Sequence, residues 1–178
     1  HTNNTLSQLH IQTPTTRITP ATSCHKEDPE PDLVPITTTG ANTMGFYVDG
    51  KKYNFKGKIE GMQARGVNGG INSSKILRIF GAGGESIISL QLFIPLDSVN
   101  SNGEYILRRN IDDFDVVSFI DNSPLGGLIF NCDSLHTGKI VLLKSDNVAA
   151  GTFYFDAINY ETGKVIHVTD GRFDIQLF

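Results

Sequence analysis

The chain has no tryptophan, and only two of its 178 residues are cysteine. Cys24 and Cys132, with no paired spacing, exclude a disulfide framework and a Cys-rich zinc module. No stretch approaches the ~20 apolar residues that a membrane-crossing helix needs. Neither charge dominates: 15 Lys+Arg stand against 19 Asp+Glu, for a formal net charge of -4. Nucleic-acid binders carry a concentrated basic patch, so nucleic acid is not an expected partner. No Gly-x-Ser-x-Gly, His-Glu-x-x-His or Cys/His signature is present. The expectation is therefore a protein that is not an enzyme and uses no cofactor.

Other absences are local. No glycine precedes Gly40 and no aromatic precedes Phe46, while five of the seven prolines fall in the first 35 residues. A segment without aromatic anchors cannot bury enough apolar surface to offset its ordering entropy. Residues 1–39 are accordingly expected to form a Thr/Pro-rich extended tail with an acidic spacer. Residues 40–178, which hold every glycine and aromatic, are expected to be the folded domain.

Within that domain the dominant period is two. Asp49-Gly50 joins two β-rich runs, and an Asp-Gly pair there is a strong hairpin signal because a type I′ turn needs positive φ twice. Phe153, Phe155 and Ala157 alternate with Thr152, Tyr154 and Asp156. Phe173, Ile175 and Leu177 alternate with Arg172, Asp174 and Gln176. Gly, Asn or Asp stands at most joints, and no window carries a helical apolar stripe. Residues 57–74 read as one weak strand plus a loop. About nine short strands in this rhythm indicate an all-β antiparallel β-sandwich, the related alternative being a barrel.

Few local strings suggest chemistry. Gly81-Ala-Gly-Gly84 superficially resembles a phosphate loop, but a β-rich run follows it instead of a helix, so a hairpin turn is expected. Asp112, Asp113 and Asp115 offer oxygen ligands at a spacing that suits calcium, without the remaining ligands of an EF-hand. His136 and His167 are the only histidines in the domain. Asp170-Gly171 reads as a tight turn or bulge. Tyr154, Arg172 and Asp174 form the candidate ligand face, with Arg172 and Asp174 two apart on one strand face. Cys132 reads as a buried small side chain, with a disulfide to Cys24 left open.

Three segments together resemble a family of uncharacterised secreted and surface lipoproteins of Bacteroidota. They are residues 35–55, residues 151–163 and residues 165–175, the last containing Thr169-Asp-Gly-Arg-Phe-Asp174. Phe46 stands where relatives often carry cysteine, which removes a second pairing partner. The resemblance implies an exported protein at the cell surface, outer membrane or extracellular space. Ala21-Thr-Ser-Cys24 is similar to the end of a lipobox, making Cys24 the lipidation candidate. Lys26, Glu27 and Asp28 are similar to a surface-export signal. Residues 1–23 lack the apolar core of a lipoprotein signal, so a chain beginning at a lipidated Cys24 and one retaining residues 1–23 both stay open.

Two function classes follow. The first is a non-enzymatic exported surface module, binding or structural. Its expected partners are a protein, a glycan or another copy of itself, and it meets a membrane only through a lipid anchor at Cys24. In one form it is an assembly subunit whose tail adds as a strand to a neighbour's sheet. The alternative is a carbohydrate-binding or carbohydrate-active protein resembling a glycoside hydrolase, which requires paired carboxylates in a groove.

Overall fold

In the computed structural model the Asp49-Gly50 pair makes the turn that its residue types favour, with φ of 48° and 80°. The structure describes residues 33–60, 65–84, 88–108, 117–122 and 127–177. Eleven strands follow in order. They are β1 (Thr43–Val48), β2 (Lys51–Lys56), β3 (Gly66–Ile71), β4 (Ile76–Gly83), β5 (Ile88–Pro95) and β6 (Glu104–Leu107). After these come β7 (Val117–Asp121), β8 (Leu128–Asn131), β9 (Gly138–Ser145), β10 (Val148–Ile158) and β11 (Val165–Gln176). The all-β antiparallel class is as expected, with two strands more than the sequence rhythm suggests. One 3₁₀ turn, Leu96–Ser98, interrupts the strands.

All eleven strands belong to one sheet, which curls into a nearly closed barrel. Its path runs β2-β1-β11-β10-β8-β7-β5-β4-β3. Nine strands joined by eight antiparallel pairings leave the first and last strands pointing the same way. The seam is accordingly parallel: Lys58, just past β2, bridges Val67 of β3. Val67 N–H donates to the Gly57 carbonyl at 2.8 Å, and Ile59 N–H donates to the Val67 carbonyl at 3.2 Å. β9 and β6 branch from β10 as a side wing.

Side chains fill the interior. Phe46 is fully buried and touches the rings of Tyr53, Phe55, Phe119 and Phe153, with centroids 5.6 to 6.4 Å apart. Edge-to-face and offset pairs of this kind add to the burial energy of each ring. The predicted inward set of β10, Phe153, Phe155 and Ala157, is buried as expected.

Residues 33–39 correct the expected tail boundary. They pack on the outside of the sheet, and Leu33 and Val34 are buried. Val34 N–H donates to Asn54 Oδ1 at 3.0 Å. Two apolar side chains and a buried carboxylate partner anchor the segment where composition alone pointed to a free linker. Gly81-Ala-Gly-Gly84 also differs in part from expectation. Gly81 and Gly83 lie inside β4, where added side chains would run into Phe55, and only Gly84 begins the turn. Asp170 at φ 54° marks a bulge in β11, where the register with β10 shifts between Phe153 and Phe155.

Candidate binding recesses

Three neighbouring strands, β3, β4 and β5, present a regular grid on their outer face. Pairing register sets it: Asn68 faces Phe80, which faces Gln91; Gly70 faces Arg78, which faces Phe93. Arg78 leans toward β5. Its guanidinium carbon lies 5.9 Å from the Phe80 centroid and 5.8 Å from that of Phe93, and Nη2 donates to Gln91 Oε1 at 3.4 Å. Cation–π contacts of this kind hold a long side chain in one orientation. On the other side of Arg78, Gly70 contributes no side chain. A recess of about 560 Å³ results, lined by Asn68, Gly70, Asn72, Arg78, Phe80 and Phe93 among others.

The adjacent glycines of β3 differ in their reasons for being there. A Cβ on Gly69 would stand 3.2 Å from Leu177 and 3.3 Å from Ile175, so packing restricts that position to a very small residue. A Cβ on Gly70 would meet nothing within 4 Å, and its φ is not positive. Gly weakens a strand interior by roughly 0.5–1 kcal/mol relative to Ala. Neither turn geometry nor a close neighbour accounts for that cost at Gly70, which lies in the floor of the open recess. At the rim, Asn72 Oδ1 accepts from Ser74 N–H at 3.0 Å and Ile76 N–H at 2.9 Å, which fixes the β3–β4 turn. The described residues of the lining include no carboxylate.

The ligand face expected from sequence is brought together only in part. Tyr154 is exposed and shares a second recess, of about 260 Å³, with Arg172, Lys139, Thr152 and Ile36. Arg172 is itself buried, and its Nε donates to the Asp170 carbonyl at 3.2 Å. Asp174 does not line this recess. It is fully buried beneath residues 37–41, accepting from Thr37 Oγ1 at 2.5 Å, Gly40 N at 2.7 Å, and Thr39 N and Oγ1 at 3.0 and 3.2 Å. Burial pushes its pKa up. The hydrogen bonds from Thr37, Thr39, Gly40 and Ala41 outweigh burial, so the carboxyl titrates below its usual range. Asp174 is thus an anchor for its own chain and not a ligand group.

The other titratable groups pair locally. Lys139 Nζ lies 2.8 Å from Glu104, and this hydrogen bond is the main cause that lowers the Glu104 pKa and raises that of Lys139. His136 Nδ1 lies 3.0 Å from Asp133 in a turn. Burial raises the Asp133 pKa, but bonds from His136 and Leu135 bring it below its usual range. His167 Nδ1 sits 2.8 Å from Asp156, whose hydrogen bond and charge raise the imidazole pKa. The buried Cys132 thiol donates to the Asp156 carbonyl at 3.2 Å. At the barrel mouth a third recess, of about 270 Å³, has Asp49, Asp121, Lys51 and Lys164 among its lining, with Phe119 and Phe130 also lining it. Asp49 Oδ1 there accepts from the His167 N–H at 2.9 Å.

Among the described residues, no group of three or more His, Cys, Asp and Glu side chains could hold a metal ion. Asp112, Asp113 and Asp115 lie outside the described residues, as do Cys24, Lys26, Glu27, Asp28 and any pairing of Cys24 with Cys132. Sequence reading missed the β3–β5 recess, whose one local sign was a Gly69-Gly70 doublet within a weak strand. No protein-family model, curated protein or solved structure matches the chain.

Proposed function

We propose that the protein is a non-enzymatic binding module that takes its partner in the outer recess of β3, β4 and β5. Gly70 carries this reading. It gives up strand stability at a position where no neighbour requires glycine, and the space it leaves is walled by a held arginine and two phenylalanines. Binding sites combine apolar walls with a few fixed polar groups in this way. The filled barrel interior favours an outer site over an enclosed one. Catalysis fits the described carboxylates less well. Those with shifted pKa values, Glu104, Asp133 and Asp174, are all lowered, and a general acid at neutral pH needs a raised one.

A nuclear magnetic resonance screen against mixed saccharides, amino acids and short peptides tests the reading. Binding should shift the amides of Gly69, Gly70, Arg78 and Phe93 together. Shifts confined to Tyr154 and Arg172, or to the barrel mouth, would move the site elsewhere and refute it. Export and surface attachment are part of the same proposal and rest on the Cys24 string. A diacyl or triacyl mass on a chain starting at Cys24 supports them, and a plain polypeptide retaining residues 1–23 in the native source removes the anchor.

A further inference from the structure

The donors and acceptors of the β3–β5 recess are unequal in number. Among the described residues of its lining, Arg78 is the one that carries a charge, and no Asp or Glu accompanies it. Asn72 has already committed its Oδ1 to two backbone N–H groups, which leaves Nδ2 as the end that can serve a ligand. Asn68 in the lining brings an amide acceptor together with an amide donor, and Gln91 Oε1, beside the recess, takes a hydrogen bond from Arg78 itself. The polar groups therefore favour a ligand rich in acceptors, above all a carboxylate, to which a guanidinium binds through paired N–H donors.

The rest of the lining sets the shape. Ile76, Phe80 and Phe93 supply apolar surface, and the bare backbone at Gly70 lets a flat ring approach the sheet. A pyranose presents such a ring, with one C–H face that packs on apolar walls and hydroxyls around its edge. Neutral sugars are commonly held through carboxylates that accept their hydroxyl protons, and the described residues of this recess include none. A pyranose that carries its own carboxylate satisfies both the donor excess and the flat floor.

We infer that the recess recognises an acidic saccharide, a uronic-acid unit, with its carboxylate on Arg78 and its ring over Gly70. This rests on the reading of the β3–β5 face as the binding site and names the ligand class of that site. Arg78 is prepared for the role because Phe80 and Phe93 already hold its guanidinium on the recess wall, so little side-chain entropy remains to be lost on binding.

Isothermal titration of the full chain with a galacturonic-acid trimer, and with the neutral galactose trimer of the same linkage, tests this inference. The acidic trimer should bind and the neutral one bind at least tenfold more weakly. Arg78→Gln should cost the acidic trimer about tenfold or more, the usual loss for one charged hydrogen-bonding group. Gly70→Val should abolish binding while thermal melting shows a domain at least as stable as the parent. Equal affinity for both trimers, or no effect of Arg78→Gln, would overturn acid recognition. The binding-module reading would survive either result if Gly70→Val still blocked binding. A glutamate hexapeptide bound as tightly as the acidic trimer would overturn ring recognition in favour of an acidic peptide. Failure of both trimers to bind would overturn the saccharide class. The fragment screen separately decides whether the recess binds anything.

Discussion

Two stretches of the outer surface each carry an arginine and a glycine on neighbouring strands, and they have opposite fates. On β11 and β1, Arg172 lies opposite Gly45, and the chain's own residues 33–41 close over that region. On β4 and β3, Arg78 lies opposite Gly70, and nothing described here covers it. Arg172 keeps 5% of its surface, whereas Arg78 is exposed. A Cβ at Gly45 would come within 2.6 Å of Asn54 Oδ1 and 2.8 Å of Val34, while one at Gly70 meets open space. The same pair of residue types thus serves folding where the chain covers it and remains available where the chain does not. Polar groups on an outer sheet face reveal their role by what already occupies them.

The comparison is broken most severely at Asp174. Asp174→Asn places an amide N–H₂ among donors that expect a carboxylate, and should cost about 3 kcal/mol in urea unfolding. It should also expose residues 33–41 to proteolysis. Equal protease resistance in the variant would show that Leu33 and Val34 hold the segment by themselves. Next comes Gly45→Val, which should destabilise by about 1–3 kcal/mol through overpacking against Val34 and Asn54. Its mirror on the open face, Gly70→Val, should leave stability unchanged or raise it by up to about 1 kcal/mol, because a β-branched residue suits a strand. Loss of stability in both variants to the same degree would erase the distinction between the faces.

Acid should act on one face only. The Asp174 carboxyl has a lowered folded-state pKa, so its contribution is present above the ordinary carboxylate range. It is lost as the pH falls through the depressed value. Protease sensitivity of residues 33–41 should therefore rise on acidification in the parent and change less in Asp174→Asn. The smallest effect belongs to His167, whose folded pKa is raised by Asp156. Its contribution is complete below the ordinary imidazole value and disappears as the pH rises through the raised one. His167→Gln should remove that slight pH dependence of melting temperature, measured at low salt where exposed pairs are least screened.

Much of the fold was legible because local chemistry and final structure agree. The Asp49-Gly50 turn and the alternation of β10 could both be read from neighbouring residues. The alternation of β11 was legible too, but the burial of its polar side was not. Arg172 and Asp174 look solvent-facing until residues 33–41 are placed over that side, a contact spanning more than a hundred positions. The β3–β5 recess was hidden for a related reason. Gly70, Arg78 and Phe93 become neighbours only through the registers of two hairpins, which no short window of sequence contains.

The anchoring of residues 33–42 also determines how a pull on the chain would travel. Tension arriving from the N-terminal side meets the Val34–Asn54 bond first, then the Asp174 clamp, then the Gln176–Asn42 and Gly57–Asn42 bonds. Only after these does it reach β1, which lies between β2 and β11 in the sheet. These contacts lie ahead of the barrel's first strand, so residues 33–42 stand between a pull from the N-terminal side and the sheet itself.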